Sequence, residues 1–257
     1  MSSHAIRLFA CITMLCDHIG YCMQAYGVGD FELASILRVI GRLAMPLFAF
    51  LIAEGFKKTH NVFLYMLRVF LAALVSEVPF DLMSSGRLYD KSHQNVMFTL
   101  LLGLLALYVV DLAKKSKSKH LKIYAFIPVL FFCYLASRLS VDYGFYGVLL
   151  ILLFYFLDTS SVETRIWFLP ALAIFASRYI LISHLNGTSA SDWAITQLYE
   201  LFCIVPILLY SGKKGYTPKS KTGRFMQKTG FYLFYPAHMA ALYFIFRSWN
   251  IIVSMFS

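Results

Sequence analysis

Apolar runs of about 20 residues recur along the chain, parted by short polar segments, which is the length an α-helix needs to cross the hydrocarbon core of a bilayer. The pattern predicts nine such helices, over about 5–26, 33–54, 61–83, 95–112, 121–140, 143–157, 165–183, 192–210 and 230–255. The loops between them are too short to hold a soluble domain. Residues 1–257 therefore read as one transmembrane domain, an all-α polytopic bundle of about nine to ten helices. The first run is not a cleaved signal: it is long, it is interrupted by Asp17-His18, and no small-residue cleavage site follows it. Six of the seven prolines (Pro46, Pro79, Pro128, Pro170, Pro206, Pro236) fall inside predicted spans, where they kink helices and release backbone carbonyls. No internal repeat is visible, which speaks against an inverted-repeat transporter.

Composition agrees with the pattern. Hydrophobic residues make up 60% of the 257 and charged residues only 14%, with a mean hydropathy of +0.68, whereas soluble domains carry about 25% charged residues. The formal charge of +10 would suggest nucleic acid in a soluble protein. Here the lysines gather in alternate loops: Lys57 and Lys58; Lys114, Lys115, Lys117, Lys119 and Lys122; and Lys213, Lys214, Lys219, Lys221, Arg224 and Lys228. The intervening loops hold few or none, so the positive-inside rule puts the N-terminus in the cytoplasm and leaves no case for a nucleic-acid partner. The loop with Asp158, Glu163 and Arg165 is the uninformative member of the inner set. Five cysteines form no CxxC, so neither a disulfide framework nor a metal site is expected. Asn186-Gly187-Thr188 matches a glycosylation acceptor, a weak pattern.

The candidate chemistry lies in charges inside the spans, which are expensive and need either partners or a task. Asp17 and His18 sit together in the first span. Arg7 precedes His18 by eleven residues, close to three helical turns, so the two share a face about 16 Å apart along the axis. Span 2 brings Arg42 to the depth of His18, with Arg38 one turn further out; span 3 brings Glu77 and Asp81 into the outer half. Asn95 and Asp142 open spans on the outer side, and His238 lies near the middle of the last. Arg68 and Glu54 lie towards the inner side. Each has a plainer reading. Asp17 could pair with Arg38 or Arg42 to fix helix packing, as could Glu77 or Asp81; His238 could be a hydrogen-bonded core histidine; and Arg7 and Arg68 could snorkel to head groups. For His18 the plain reading is weakest, because a histidine side chain in general has a pKa near neutrality and a nitrogen able to take a proton. Asp17 points about 100° away on a helix, so Glu77 or Asp142 is the better candidate to orient it.

At these residues the chain resembles the TraX family of membrane proteins, named for a conjugation-associated protein that acetylates pilin. Five segments carry the resemblance in order: Asp17–Gly20, Leu37–Gly55, Asn95–Leu100, Asp142–Gly147 and Phe234–His238. The family is similar to a broader group of transmembrane acyltransferases with bundles of about ten helices, whose type-3 members carry an arginine, ten residues and a histidine in the first span. Arg7 and His18 have that spacing. The resemblance implies a bacterial cytoplasmic-membrane enzyme that takes an acetyl group from cytoplasmic acetyl-CoA to an extracytoplasmic peptide or glycan. On this reading His18, Asp17, Arg38, Arg42 and Glu77 are catalytic; Arg7, Arg68 and His238 bind the donor; and Asp81, Asn95 and Asp142 bind the acceptor, without a metal. The rival from another class is a proton-coupled transporter that uses the same buried charges as a relay, and a third is a scaffold in a secretion assembly.

Overall fold

The computed structural model describes residues 1–157 and 159–256, and the side chains of all of these except Lys228 and residues 250–256. Asp158, named above among the loop charges, thus lies outside the described residues, as does the side chain of Lys228. The described chain is helical, with one isolated bridge between Gln94 and Val141. In order the helices are α1 (Ser3–Tyr26), α2 (Phe31–Gly41), α3 (Ala44–Lys58), α4 (Val62–Ser85), α5 (Val96–Lys115), α6 (Lys119–Tyr124), α7 (Phe126–Arg138), α8 (Gly144–Phe156), α9 (Val162–Ile166), α10 (Leu169–Ala176), α11 (Arg178–Leu185), α12 (Asp192–Thr196), a 3₁₀ helix (Gln197–Cys203), α13 (Ile204–Leu208) and α14 (Lys221–Phe256).

The expected nine to ten spans are not what these helices supply. Among the described residues five are long and apolar enough to cross a membrane: Ser3–Tyr26, Phe31–Lys58, Val62–Ser85, Val96–Lys115 and Lys119–Arg138. A sixth arises only if Val162–Ala176 and Arg178–Leu185, bent by 45°, count as one. The predicted run at 192–210 is three short helical pieces.

Proline explains most of the fragmentation. A proline lacks the N–H that would reach the carbonyl four residues back, and its ring crowds that carbonyl. Four residues before Pro46, Pro128, Pro170 and Pro206 stand Arg42, Tyr124, Ile166 and Phe202. The chain breaks there each time: α2 ends at Gly41, α6 at Tyr124, α9 at Ile166, and the 3₁₀ helix at Cys203. The bend between α10 and α11 has another cause. The Ser177 hydroxyl donates to the carbonyl of Ala173 (2.8 Å) and Arg178 Nη1 to that of Phe175 (2.7 Å), so side chains compete for the carbonyls a continuous helix would use.

Several helix starts are capped by the residue the sequence supplies. Ser2, Asp30, Asn61 and Asn95 each accept a first-turn N–H, and Gly27 and Gly86 close α1 and α4 in the left-handed region at φ 62° and 71°.

The chain forms two compact units. Unit 1 comprises Met1–Phe48, Leu157–Thr217 and Leu242–Ser257. In it α1 runs along α2 at close range, because a Cβ on Gly20 would lie 2.6 Å from the Ala34 carbonyl oxygen and one on Gly41 would overlap Asp17. Arg165 fastens α9 to α13 by donating to the carbonyls of Leu208 (2.8 Å) and Tyr210 (2.6 Å), satisfying groups a helix end leaves open.

Unit 2 comprises Ala49–Phe156 and Pro218–Ala241. Its centre is α5, packed by α4, α7 and α8, with Leu104, Leu107 and Ile151 fully buried and Phe50 edge-on to Phe154 at 5.8 Å. Gly103 lets Ile151 approach the α5 backbone. Outward, α4 and α7 expose Phe63, Leu67, Leu71, Leu74, Val75, Phe126, Ile127 and Phe131, the surface a lipid-facing helix presents.

Candidate functional site

In unit 1 the sequence places His18 on α1 directly after Asp17, and α1 is unbroken from Ser3 to Tyr26, so Arg7 and His18 keep their shared face. His18 is half-buried. Beside it Asp17 is the centre of an ion cluster. Its Oδ2 accepts from Arg38 Nη1 at 2.7 Å and its Oδ1 from Arg42 Nη2. Of the alternatives weighed for Asp17, pairing with Arg38 or with Arg42, the structure has both at once. Arg42 Nε also donates to the Arg38 carbonyl (3.1 Å), and the Arg38 guanidinium lies 5.5 Å from the centre of the Tyr21 ring.

The local reason is the break that Pro46 imposes. Arg42 caps the end of α2, and its side chain turns back along the helix to its own carbonyl ladder and to Asp17. Gly41 gives Asp17 the room to reach both. Only 7% of the Arg42 side chain is exposed and 13% of that of Asp17, so this is a charge cluster withdrawn from water. It can hold two guanidiniums in fixed positions, a geometry suited to a developing oxyanion.

In unit 2 a second polar group lies at the end where α4 and α7 finish and α5 and α8 begin. Asn95 caps α5 through the Met97 N–H (3.0 Å) and donates its own amide to the Ala73 carbonyl (2.9 Å) and to Glu77 Oε2. Oε1 of Glu77 is buried with no hydrogen-bond partner among the described residues. Asp81, fully buried, accepts the Asp90 N–H at 2.9 Å. Thr99 donates to the Asp142 carbonyl oxygen. Asp142 Oδ1 stands 3.6 Å from His93 Nε2 and accepts the Tyr143 N–H (3.1 Å). This carboxylate, helped by the charge of Glu77 and the Ser140 carbonyl, pushes the His93 imidazole above its ordinary pKa against the opposing effect of burial. The turn is strained: Ser140 and Tyr143, neither a glycine, have φ of 50° and 63°. The buried Tyr235 accepts from the Val96 N–H at the same end.

Among the named candidates, then, Asp17, Arg38 and Arg42 meet on α1 and α2 in unit 1, where Arg7 and His18 also lie. Glu77, Asp81, Asn95, Asp142, Arg68 and His238 belong to unit 2. There Glu77 accepts from Asn95. His238, 7% exposed, donates Nδ1–H to the Phe234 carbonyl (2.7 Å) and stacks on Phe234, as a core histidine does. Arg68 is half-buried on α4.

Sequence reasoning missed His93, Tyr235 and the pair Arg178–Glu200. Arg178 grips Glu200 with both Nη atoms, at 2.9 and 3.0 Å, and both residues are buried. The signal was present: an arginine and a glutamate of opposite sign, each within a predicted apolar run, satisfy the same rule that flagged Asp17.

The lysine-rich end of unit 2 is also organised. Glu54, 4% exposed, holds Lys57 (3.3 Å) and Lys58 (3.0 Å) at the end of α3, and Asp111 holds Lys115 (2.6 Å) at the end of α5. Lys57 and Lys114 lie 5.9 and 5.6 Å from the centre of the Tyr155 ring.

Comparison with known proteins adds a family. Residues 2–246 match the family model described as TraX protein. A similar protein is the probable fimbrial assembly protein FimC, serogroup H1, of Dichelobacter nodosus, 28% identical over 252 residues that cover 94% of each chain. No solved structure matches.

Proposed function

The chain belongs to the TraX protein family, and we propose that it is a membrane acyltransferase that moves an acetyl group from cytoplasmic acetyl-CoA to an amine or hydroxyl of an extracytoplasmic peptide or glycan. The observation that carries this reading is the cluster of two guanidiniums fixed by Asp17 on the helix that bears His18. The similarity to a protein described as a fimbrial assembly protein supports a fimbrial or pilin-like acceptor. The charge of the loops supports a cytoplasmic N-terminus in a bacterial inner membrane.

The donor's phosphates would meet Arg7, and its pantetheine arm would carry the thioester towards His18. Attack by the acceptor nitrogen or oxygen forms a bond to the acetyl carbon, while the acceptor proton passes to a nitrogen of His18. Collapse of the tetrahedral intermediate breaks the C–S bond, and the proton leaves with the CoA thiolate. A variant of the same step acetylates His18 first and the acceptor second. Arg38 and Arg42 would stabilise the oxyanion, a contribution of about 3 kcal/mol for one such donor in a site poor in water.

The test is transfer of labelled acetyl from acetyl-CoA to macromolecules in membrane vesicles from cells that make the chain. His18→Ala should insert and keep its melting temperature but lose transfer by about 100-fold or more. Normal transfer by that variant removes the proposal. Solute uptake that needs no CoA ester would instead establish the transporter.

A further inference from the structure

Where α5 turns into α6, unit 2 carries more positive charge than its own carboxylates can balance. Glu54 is taken by Lys57 and Lys58, and Asp111 by Lys115 and by the Tyr155 hydroxyl, which donates to it at 2.9 Å. Lys114, Lys117, Lys119 and Lys122 have no carboxylate partner among the described residues, and all four are exposed. The turn that carries them is ordered by its own hydrogen bonds. The Ser116 N–H closes α5 on the Leu112 carbonyl (3.1 Å), the Ser116 hydroxyl oxygen accepts the Ser118 N–H (3.1 Å), and the Ser118 hydroxyl oxygen accepts the Leu121 N–H (3.4 Å). Lys114 lies 5.6 Å from the centre of the Tyr155 ring, which is itself set edge-on to Phe56 at 5.8 Å.

Helix stability accounts for only part of this. Lys114 lies in the last turn of α5 and Lys122 in that of α6, where a cation suits the helix dipole. Lys119 opens α6, where the dipole disfavours a cation, and that first turn holds no acid. Lys117 belongs to neither helix. Beside them Leu121, Ile123, Tyr124, Phe126 and Ile127 are exposed too, so the stretch passes at once from unbalanced ammonium groups to bare apolar side chains. Water suits the first and hydrocarbon the second; the head-group boundary of a bilayer suits both, and a tyrosine fits there. A soluble anion would cover the lysines and leave five apolar side chains in water. One phospholipid covers both sets, with its phosphate at the ammonium groups and its chains against the apolar ones.

We infer that Lys114, Lys117, Lys119 and Lys122 form a binding surface for anionic phospholipid head groups, with Leu121, Ile123 and Phe126 against the acyl chains. The surface consists of unit 2 residues alone and does not depend on the acyl transfer proposed above.

The experiment melts the full-length chain in a neutral detergent with phosphatidylglycerol, phosphatidylcholine, inorganic phosphate or acetyl-CoA added over a range of concentrations. At about 100 times its dissociation constant, phosphatidylglycerol should raise the melting temperature by about 5–10 °C. Phosphatidylcholine has no net charge and should raise it much less. The gain should shrink from about 0.05 M to about 0.5 M salt. Replacing the four lysines by glutamine should raise the phosphatidylglycerol needed for half the gain by about 100-fold or more, at about fivefold for each lysine. Replacing them by arginine should leave it unchanged, as should Lys213→Gln with Lys214→Gln in unit 1. Equal gains from the two lipids, or a full gain in the glutamine variant, overturn the inference. A loss of the same size in Lys213→Gln with Lys214→Gln also overturns it, since bulk charge would then be the cause. A gain from inorganic phosphate or acetyl-CoA that the glutamine variant loses, with none from phosphatidylglycerol, overturns it in favour of a site for soluble phosphates. Should the fourfold variant fail to fold, Lys114→Gln with Lys117→Gln and Lys119→Gln with Lys122→Gln decide by the same measure.

Discussion

Replacing Gly20 by alanine tests the closeness of α1 and α2 on which the Asp17 cluster depends. The added methyl would stand 2.6 Å from the Ala34 carbonyl oxygen and 3.1 Å from both Arg38 Cγ and Leu37 Cβ. The first of these is backbone and cannot swing aside. Ordinary contact begins at 3.4 Å, so the helices must part by about 0.8 Å at this point. The same displacement would stretch the Asp17–Arg38 bond from 2.7 Å to about 3.5 Å, the limit of a hydrogen bond. Overpacking of this kind costs about 1–3 kcal/mol, and the weakened charged bond adds about 1 kcal/mol. The expected fall in melting temperature is about 5 °C or more for a chain of this size. The assay is a melt in detergent followed with a thiol-reactive dye, because Cys11, Cys22, Cys133 and Cys203 are buried until the protein unfolds. Two other glycines give the scale. Gly103→Ala meets the flexible end of Ile151 and should cost less, whereas Gly230→Ala has open space around it and should be neutral or stabilising by up to about 1 kcal/mol. If Gly20→Ala melts with Gly230→Ala, the close packing of α1 on α2 is wrong.

Two further outcomes follow from the ion pairs. Asp17→Asn leaves Arg38 and Arg42 facing each other without a negative charge, so stability should fall by about 3 kcal/mol in the same melt, and a loss below about 1 kcal/mol would refute the cluster. The His93 imidazole has its pKa raised above the ordinary 6.5 by Asp142, so the stability it contributes is complete below that value and is lost as pH rises through the folded pKa. Relative to His93→Gln, the wild type should therefore lose melting temperature between mildly acidic and mildly alkaline buffer; a wild-type advantage that grows with pH contradicts the His93–Asp142 pair.

Much of the helical course was legible because its causes are local. Apolar runs, the Asn95 and Asp30 caps and the closing glycines Gly27 and Gly86 each act within a few residues. The breaks at Arg42, Tyr124 and Ile166 were equally local, since each lies four residues before a proline, yet a hydropathy average runs straight across them. Asp17 as a partner for span 2 could be anticipated from depth and sign alone. That it takes Arg38 and Arg42 together could not, because it depends on Gly41 leaving room at the crossing of α1 and α2.

The sequence by itself therefore determined that the chain is a helical membrane protein, which of its runs are helical, and which side chains are too costly to bury alone, because hydrophobicity and charge are properties of each residue. Only the tertiary structure decided the partners: Glu77 with Asn95, His93 with Asp142, and Arg178 with Glu200. An ion pair between residues 22 apart in sequence depends on where broken helices bend and cross, and depth along a span says nothing about the direction in which a side chain meets its neighbour.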